Sequence, residues 1–308
     1  PLTLESGGKS WTPMNDDDEF HGWVTARTAV EQSYNLPTIR LALAAGLPAI
    51  VDTAKALGLA ANLRPVPSIA IGSFEVAPVE LVTAYAAFAN DGVRVRARML
   101  DGVLTADGSA LVPTASPAGE RVLSPQSAFL ITTLLQGVVD YGTARSMRSQ
   151  GLADPVAGKT GTSNNRRDNW FVGYTPERAT VVWVGFDDDS PTPFSGSKAA
   201  LPLWTKFMLA VRPASGYSRF TTPDGIRVVL IDPVSGELAT ERCPEVLSEA
   251  FPAGRLPQIV CHLHGGRNSL PIDPQVRAEV EEERKQSGIS GWLKRVFSRR
   301  SKPSEPPP

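Results

Sequence analysis

Cysteine is almost missing: the 308 residues hold two, Cys243 and Cys261. A disulfide-rich scaffold is thereby excluded, and the pair reads either as two reduced thiols or as a single bridge. Histidine is nearly as scarce, with three in the chain. His21, His262 and His264 follow no recognisable ligand spacing, although His262 and His264 flank a turn beside Cys261, so neither a metal nor another cofactor is expected. An excess of one charge is also lacking, since 31 Lys and Arg oppose 32 Asp and Glu for a net charge of −1. No global field draws in a polynucleotide or an anionic bilayer, and no nucleic-acid partner is expected. No long apolar run exists either: the most apolar stretch, residues 41–61, is broken by Pro48, Asp52 and Lys55, so it reads as ordinary helices and not as a membrane span. Position 1 is proline, and no basic segment followed by an apolar one comes after it, which reads as a fragment or a processed chain. What remains, 42% hydrophobic and 20% charged, is an ordinary globular mixture.

Periodicity divides the chain. Residues 1–23 are polar and turn-rich, with Gly7-Gly8 and the acidic run Asp16–Glu19. Helical patterns dominate residues 24–91, with Pro37 and Pro48 where first turns accept proline and Gly46 and Gly58 where helices stop. The clearest helix starts at Pro78, with Leu81, Ala84, Tyr85 and Phe88 on one stripe. Residues 93–122 read as short strands around an Asp107-Gly108 turn. A second strong helix opens at Ser124-Pro125 and buries Ala128, Ile131, Leu135 and Val138. Residues 156–162, 169–174 and 179–186 then read as adjacent antiparallel strands, followed by a helix over 201–211. Helices, strands and a closing helix make an α+β architecture over residues 24–212, within a domain taken as 1–212. Residues 213–270 read as a small β-rich appendage, and 271–308 as a charged helix (275–287) with a disordered Pro/Ser-rich tail.

The informative stretch is Val156-Ala-Gly-Lys159-Thr160-Gly161-Thr162. A phosphate loop would need a glycine five residues before Gly158, where Ala153 stands, and Pro155 removes a donor from the required cradle. The alternative is an edge strand that receives an extended peptide through main-chain hydrogen bonds. Gly161 would let the ligand backbone come close, while Lys159, Thr160 and Thr162 could hold a terminal carboxylate. Lys-Thr-Gly is one of three signatures of the serine acyl-enzymes that recognise penicillin, beside Ser-x-x-Lys and a Ser-x-Asn element. Ser33-Tyr34-Asn35 supplies a Ser-x-Asn, as does Ser163-Asn164-Asn165. Ser163 directly follows the Lys-Thr-Gly strand and cannot face it across a cleft, so Ser33 and Asn35 are preferred.

Further motifs fall in a specific order. They are Trp11-x-Pro13-x-Asn15, Ile71-Gly72-Ser73, Ala84–Gly92, Gly142-Thr143-Ala144, Asp168-x-Trp170-Phe171-x-Gly173-Tyr174 and Val182–Gly185. With Ser33–Asn35 and Gly158–Thr162 they cover residues 1–212, and in this order the chain resembles the transpeptidase domain of class A, bifunctional penicillin-binding proteins. The resemblance implies the penicillin-binding transpeptidase and serine β-lactamase-like fold, an antiparallel sheet packed by helices with a helical subdomain. It implies D,D-transpeptidation, in which a D-Ala-D-Ala stem peptide acylates a serine and passes to an amine, and it implies β-lactams as ligands. Ser33 is then expected to relay protons with Lys159, Asn35 to bind the stem-peptide backbone, and the Thr162 N–H to serve the oxyanion hole. Trp170 and Trp183 read as sheet packing.

One departure matters. Ser6-Gly7-Gly8-Lys9 satisfies Ser-x-x-Lys as text, but two glycines do not begin a helix, and the nucleophile needs a helix start to place its lysine one turn on. The acylated serine is therefore expected upstream of Pro1, with a glycosyltransferase domain and a membrane anchor further upstream. The implied location is the periplasmic face of the inner membrane, which tips Cys243 and Cys261 towards a bridge. Two other readings stand beside this one: a catalytically dead fragment that binds peptidoglycan or a partner, and a D,D-carboxypeptidase or β-lactamase relative. A last expectation concerns Ile289, Trp292, Leu293, Val296 and Phe297, an apolar stripe beside Lys294, Arg295, Arg299 and Arg300 that could lie on a membrane surface.

Overall fold

The computed structural model describes residues 1–265 except 7, 8, 61, 101 and 113–117, together with residue 271. It forms two compact units, Pro1–Gly225 and Ile226–Pro308. The first opens with a hairpin, β1 (Leu4–Ser6) against β2 (Lys9–Trp11). Three helices follow, α1 (Ala26–Glu31), α2 (Asn35–Ala45) and α3 (Leu47–Ala56), and α4 (Pro78–Ala89) comes after a 3-10 turn at Pro67–Ile71. The Thr25 hydroxyl starts α1 by accepting the Thr28 N–H at 3.1 Å. Gly46, at φ +92°, ends α2 in a conformation costly for any other residue, and Pro48 sits in the first turn of α3.

Four short strands come next: β3 (Val93–Arg94), β4 (Val103–Leu104), β5 (Ala110–Val112) and β6 (Glu120–Arg121). They pair as β3 with β6 and β4 with β5, the second pair around the expected Asp107-Gly108 turn. Helix α5 (Pro125–Asp140) is capped by the Ser124 hydroxyl, which accepts the Ser127 N–H at 3.1 Å. Its buried stripe is Ala128, Thr132, Leu135, Val138 and Val139. Ile131, expected in that stripe, is 38% exposed. Thr132 takes the place because its hydroxyl is satisfied inside, by the Ala128 carbonyl at 2.8 Å and the Tyr174 hydroxyl at 2.9 Å.

After the short α6 (Ser146–Ser149) comes the central sheet, β7 (Ala157–Thr162), β8 (Asn169–Tyr174) and β9 (Ala179–Val184), antiparallel in that spatial order. Helix α7 (Ala200–Ala210) brings the fully buried Trp204 edge-on to Phe171, ring centroids 5.0 Å apart, and the Trp204 indole N–H donates to the Thr180 carbonyl at 2.9 Å. The expected α+β arrangement and its three strands are all present, with ends shifted by one or two residues. Residues 213–225, expected with the appendage, pack into the first unit instead. Tyr217 donates its N–H to Asp154 Oδ1 at 2.9 Å and its hydroxyl to the Met208 carbonyl at 2.9 Å, and Phe220 meets Tyr174 edge-on at 5.7 Å.

The second unit is built on an antiparallel ribbon, β10 (Ile226–Ile231) with β11 (Leu247–Pro252). Cys243 and Cys261 are both buried here as free thiols, the first of the two states the sequence leaves open, and not the bridge towards which the implied location tips them. The charged helix expected at 275–287, the apolar stripe at 289–297 and the tail after Arg300 lie outside the described residues.

Candidate active site

The site is assembled from the turn between α1 and α2 and from strand β7. Ser33 lies in that turn at φ +59°, a left-handed conformation that costs a residue with a Cβ about 1 kcal/mol. Two backbone bonds hold it there: its own N–H to the Val30 carbonyl at 3.2 Å, and the Tyr34 N–H to the Ala29 carbonyl at 2.9 Å. Behind the turn, the 4%-exposed Asn15 accepts the Leu36 N–H at 3.1 Å and donates to the Glu19 carbonyl at 2.7 Å, while Tyr34 stacks on His21 at 4.0 Å. Asn35 donates its amide to the Met14 carbonyl at 2.8 Å, which leaves its Oδ1 as the group able to accept from a ligand.

Strand β7 lies at the edge of its sheet, with no strand on its outer side among the described residues. Glycine is required at 158, because a Cβ there would come within 2.8 Å of the Val172 carbonyl oxygen. The Lys159 ammonium donates to Ser33 Oγ at 2.7 Å and to the Thr160 carbonyl at 3.0 Å. Burial of the side chain lowers its pKa to about 8, because an ammonium removed from water loses hydration that two acceptors only partly replace.

A third element joins them. The Thr143 N–H donates to the Glu31 carbonyl at 3.1 Å, and its hydroxyl meets that of Thr160 at 2.7 Å. Gly142 permits this approach, since a Cβ would stand 2.1 Å from the Glu31 carbonyl oxygen. Beneath lies a buried ion pair, Arg27 with Glu31 at 3.1 Å, and the same guanidinium donates to the Thr133 carbonyl of α5 at 3.0 Å. Thr162 Oγ1 accepts the Gly196 N–H at 3.0 Å, so both threonine hydroxyls already have a protein partner and each keeps capacity for one more. The sequence reading assigned Thr143 no role of its own; Gly-Thr-Ala was visible as a motif, but its hydroxyl's target was not.

Ser33, Lys159 and Thr160 are thus brought together, Gly161 and Thr162 continue the same edge, and Asn35 stands one residue beyond the turn that presents Ser33. Ser163, the competing match, bonds through its hydroxyl to Asp168 at 3.0 Å in the β7–β8 turn, away from this meeting point. Ser6 and Lys9 face each other as paired strand residues, so neither begins a helix. A further textual match, Ser195-x-x-Lys198, was overlooked in the sequence. There Ser195 Oγ bonds Ser197 Oγ at 2.9 Å and Lys198 is exposed, with no hydrogen bond between Ser195 and Lys198 side chains among the described residues. Trp170 and Trp183 pair across β8 and β9 with ring centroids 6.2 Å apart, as sheet packing requires.

Residues 2–208 match the family described as the penicillin binding protein transpeptidase domain, and residues 222–266 match the C-terminal domain of penicillin-binding protein 1A. The chain is 35% identical over 210 residues to penicillin-binding protein 1B of Vibrio cholerae, covering 68% of this chain and 27% of the relative. It is 36% identical over 263 residues to penicillin-binding protein 1A of Aquifex aeolicus, covering 85% and 36%. The crystal structure of penicillin-binding protein 1A from Haemophilus influenzae superposes with a TM-score of 0.75 at 24% identity, covering 85% of this chain and 45% of that one, a likeness of fold. The chain therefore spans about a third of the length of the curated relatives it matches.

Proposed function

Because the chain belongs to the penicillin-binding protein transpeptidase family, we propose that it carries the substrate-receiving part of a serine D,D-transpeptidase that cross-links peptidoglycan stem peptides. The observation that carries this reading is the 2.7 Å contact between Lys159 Nζ and Ser33 Oγ beside the open edge of β7. A stem peptide ending in D-Ala-D-Ala, or a β-lactam of similar shape, adds to that edge as an extra strand. Gly161 keeps the approach clear of a side chain, and Asn35 Oδ1 accepts a backbone N–H from the ligand. Lys159, with its pKa near 8, is about 90% protonated at pH 7 and attracts the terminal carboxylate.

In acylation, the hydroxyl oxygen of a Ser-x-x-Lys serine forms a bond to the penultimate carbonyl carbon and the C–N bond to the last D-alanine breaks. The departing amine must gain a proton. The proton lost by the attacking hydroxyl passes to the lysine of its own Ser-x-x-Lys and replenishes Ser33, which delivers its hydroxyl proton to the amine. Lys159, hydrogen-bonded to Ser33 and with neither protonation state far in energy at neutral pH, holds that hydroxyl in place. The Thr162 N–H supplies one donor to the oxyanion. An acceptor amine then attacks the ester, and the same relay runs in reverse. Such a substrate places the protein on the extracytoplasmic side of the membrane.

The test is labelling with a fluorescent penicillin. The 308-residue chain is expected to form no covalent band, because Ser6 lies in a hairpin and no hydrogen bond joins the Ser195 and Lys198 side chains among the described residues. A protein extended upstream through a helical Ser-x-x-Lys is expected to label, and Lys159→Met in that protein to slow labelling by about 100-fold. A label on Ser6 or Ser195, or unchanged labelling of the Lys159 variant, would refute this reading.

A further inference from the structure

Four side chains that play no part in the transpeptidase reading converge in the second unit. Asp232, Cys243, Cys261 and His264 each offer a ligand atom, and all four atoms lie within 4.8 Å of one another. We propose that they form a structural site for a zinc-class divalent cation, bound through one carboxylate, two thiolates and one imidazole.

The distances fit a closed tetrahedral shell. For bonds of about 2.3 Å to sulfur and about 2.0 Å to nitrogen, a sulfur and a nitrogen on the same tetrahedral ion stand about 3.5 Å apart. Cys261 Sγ and His264 Nδ1 are 3.6 Å apart. Asp232 Oδ2 and His264 Nδ1 are 2.7 Å apart, a hydrogen bond that would open by about half an ångström as both turned to a shared ion. The donors are oriented by the surrounding backbone, as ligands of a metal are. Asp232 Oδ1 accepts the N–H groups of Val234 at 3.0 Å and Ser235 at 2.9 Å, leaving Oδ2 for the centre. The Thr240 N–H points at Cys243 Sγ from 3.3 Å. The turn from Cys261 to His264 is closed by the Gly265 N–H on the Cys261 carbonyl at 2.8 Å.

Burial and size point the same way. Asp232 and Cys261 are each 1% exposed and Cys243 is 9% exposed, while the His264 side chain, at 31%, sits nearest the surface. The apolar cluster around the cysteines comprises Leu230 and Ala239, with Val246 packed against it. A cluster this small among the described residues is one that a disulfide or a metal commonly staples. A Cys243–Cys261 disulfide would use the two sulfurs alone, whereas an ion also engages Asp232 Oδ2 and the His264 imidazole that lie against them. Spacing hid the site: the ligands read Asp-x10-Cys-x17-Cys-x2-His, and only Cys261-x-x-His264 resembles half of a familiar zinc motif.

The test uses the whole chain. As isolated, it is expected to contain one zinc per molecule by elemental analysis and to release two thiols reactive to Ellman's reagent once the metal is chelated. Replacement by cobalt(II) should produce thiolate-to-cobalt charge-transfer absorption in the near ultraviolet. His264→Ala should weaken metal binding by about 10- to 100-fold, Cys261→Ser should roughly halve the charge-transfer band and the double variant with Cys243→Ser should abolish it, with Lys159 and Ser33 untouched. A Cys243–Cys261 disulfide in the protein as isolated, or no cobalt spectrum from the fully reduced chain, overturns the proposal. Because neither readout depends on penicillin, failure here leaves the transpeptidase reading standing, and the reverse also holds.

Discussion

Raising the pH of the protein from 7 to 11 should neutralise Lys159 long before any solvated lysine. Burial lowers its pKa from 10.5 to about 8. At pH 7.5 about a quarter of the molecules then carry a neutral Lys159, against about one in a thousand for an unperturbed lysine. The folded value lies below the unfolded one, so between pH 8 and 10.5 the unfolded chain binds the extra proton and stability rises with pH. The burial penalty is accordingly present in full below pH 8 and relieved above 10.5. The lowering from 10.5 to about 8 corresponds to about 3 kcal/mol, an upper bound because solvent still reaches part of this half-buried side chain. Two measurements read the effect. Carbon-13 labelling of the lysine ε-methylenes, assigned by the resonance lost in Lys159→Met, should show a midpoint near 8. Denaturant unfolding of wild type and Lys159→Met at pH 7.5 and 10.5 should show wild type gaining up to about 3 kcal/mol relative to the variant. Ser33→Ala should move the midpoint lower still, since the serine oxygen accepts from the ammonium at 2.7 Å and favours its charged form. A midpoint at 10 or above would mean that Lys159 is solvated, and the proton relay drawn from it would fail.

Two structural perturbations test the frame around the site. Gly142→Ala places a methyl 2.1 Å from the Glu31 carbonyl oxygen, so unfolding free energy should fall by about 2–3 kcal/mol and the Thr143–Thr160 contact should loosen; a loss below about 0.5 kcal/mol would contradict the close approach. Asp154 is held below the usual carboxylate range, chiefly by the Arg212 guanidinium at 2.6 and 3.0 Å, with burial opposing and the Tyr217 N–H adding to the lowering. Its contribution is therefore present above the unfolded carboxyl pKa and lost as pH falls through the folded one. Asp154→Asn should destabilise by about 1–2 kcal/mol at pH 7, discounted because Arg212 is partly exposed, and the difference should vanish in acid; a difference that persists there would refute the assignment.

Much of this protein was written in local order along the chain. Lys159–Thr162 could be recognised as an edge strand, and the helix starts at Pro78 and Pro125 stand where caps and first-turn prolines put them. These features depend on neighbours within a few residues, which is why periodicity reveals them. The exposure of Ile131 and burial of Thr132 were not legible, because they turn on whether Tyr174 offers a hydroxyl from across the core. Ser33 was preferred over Ser163 by position in the chain, but its 2.7 Å contact with Lys159 spans 126 residues and exists through the docking of α1 on α5. Thr143 and the four-residue cluster at Asp232 were invisible for the same reason. Side chains far apart in sequence become one chemical group only when backbone geometry closes the space between them, and that closure is a property of the packed whole.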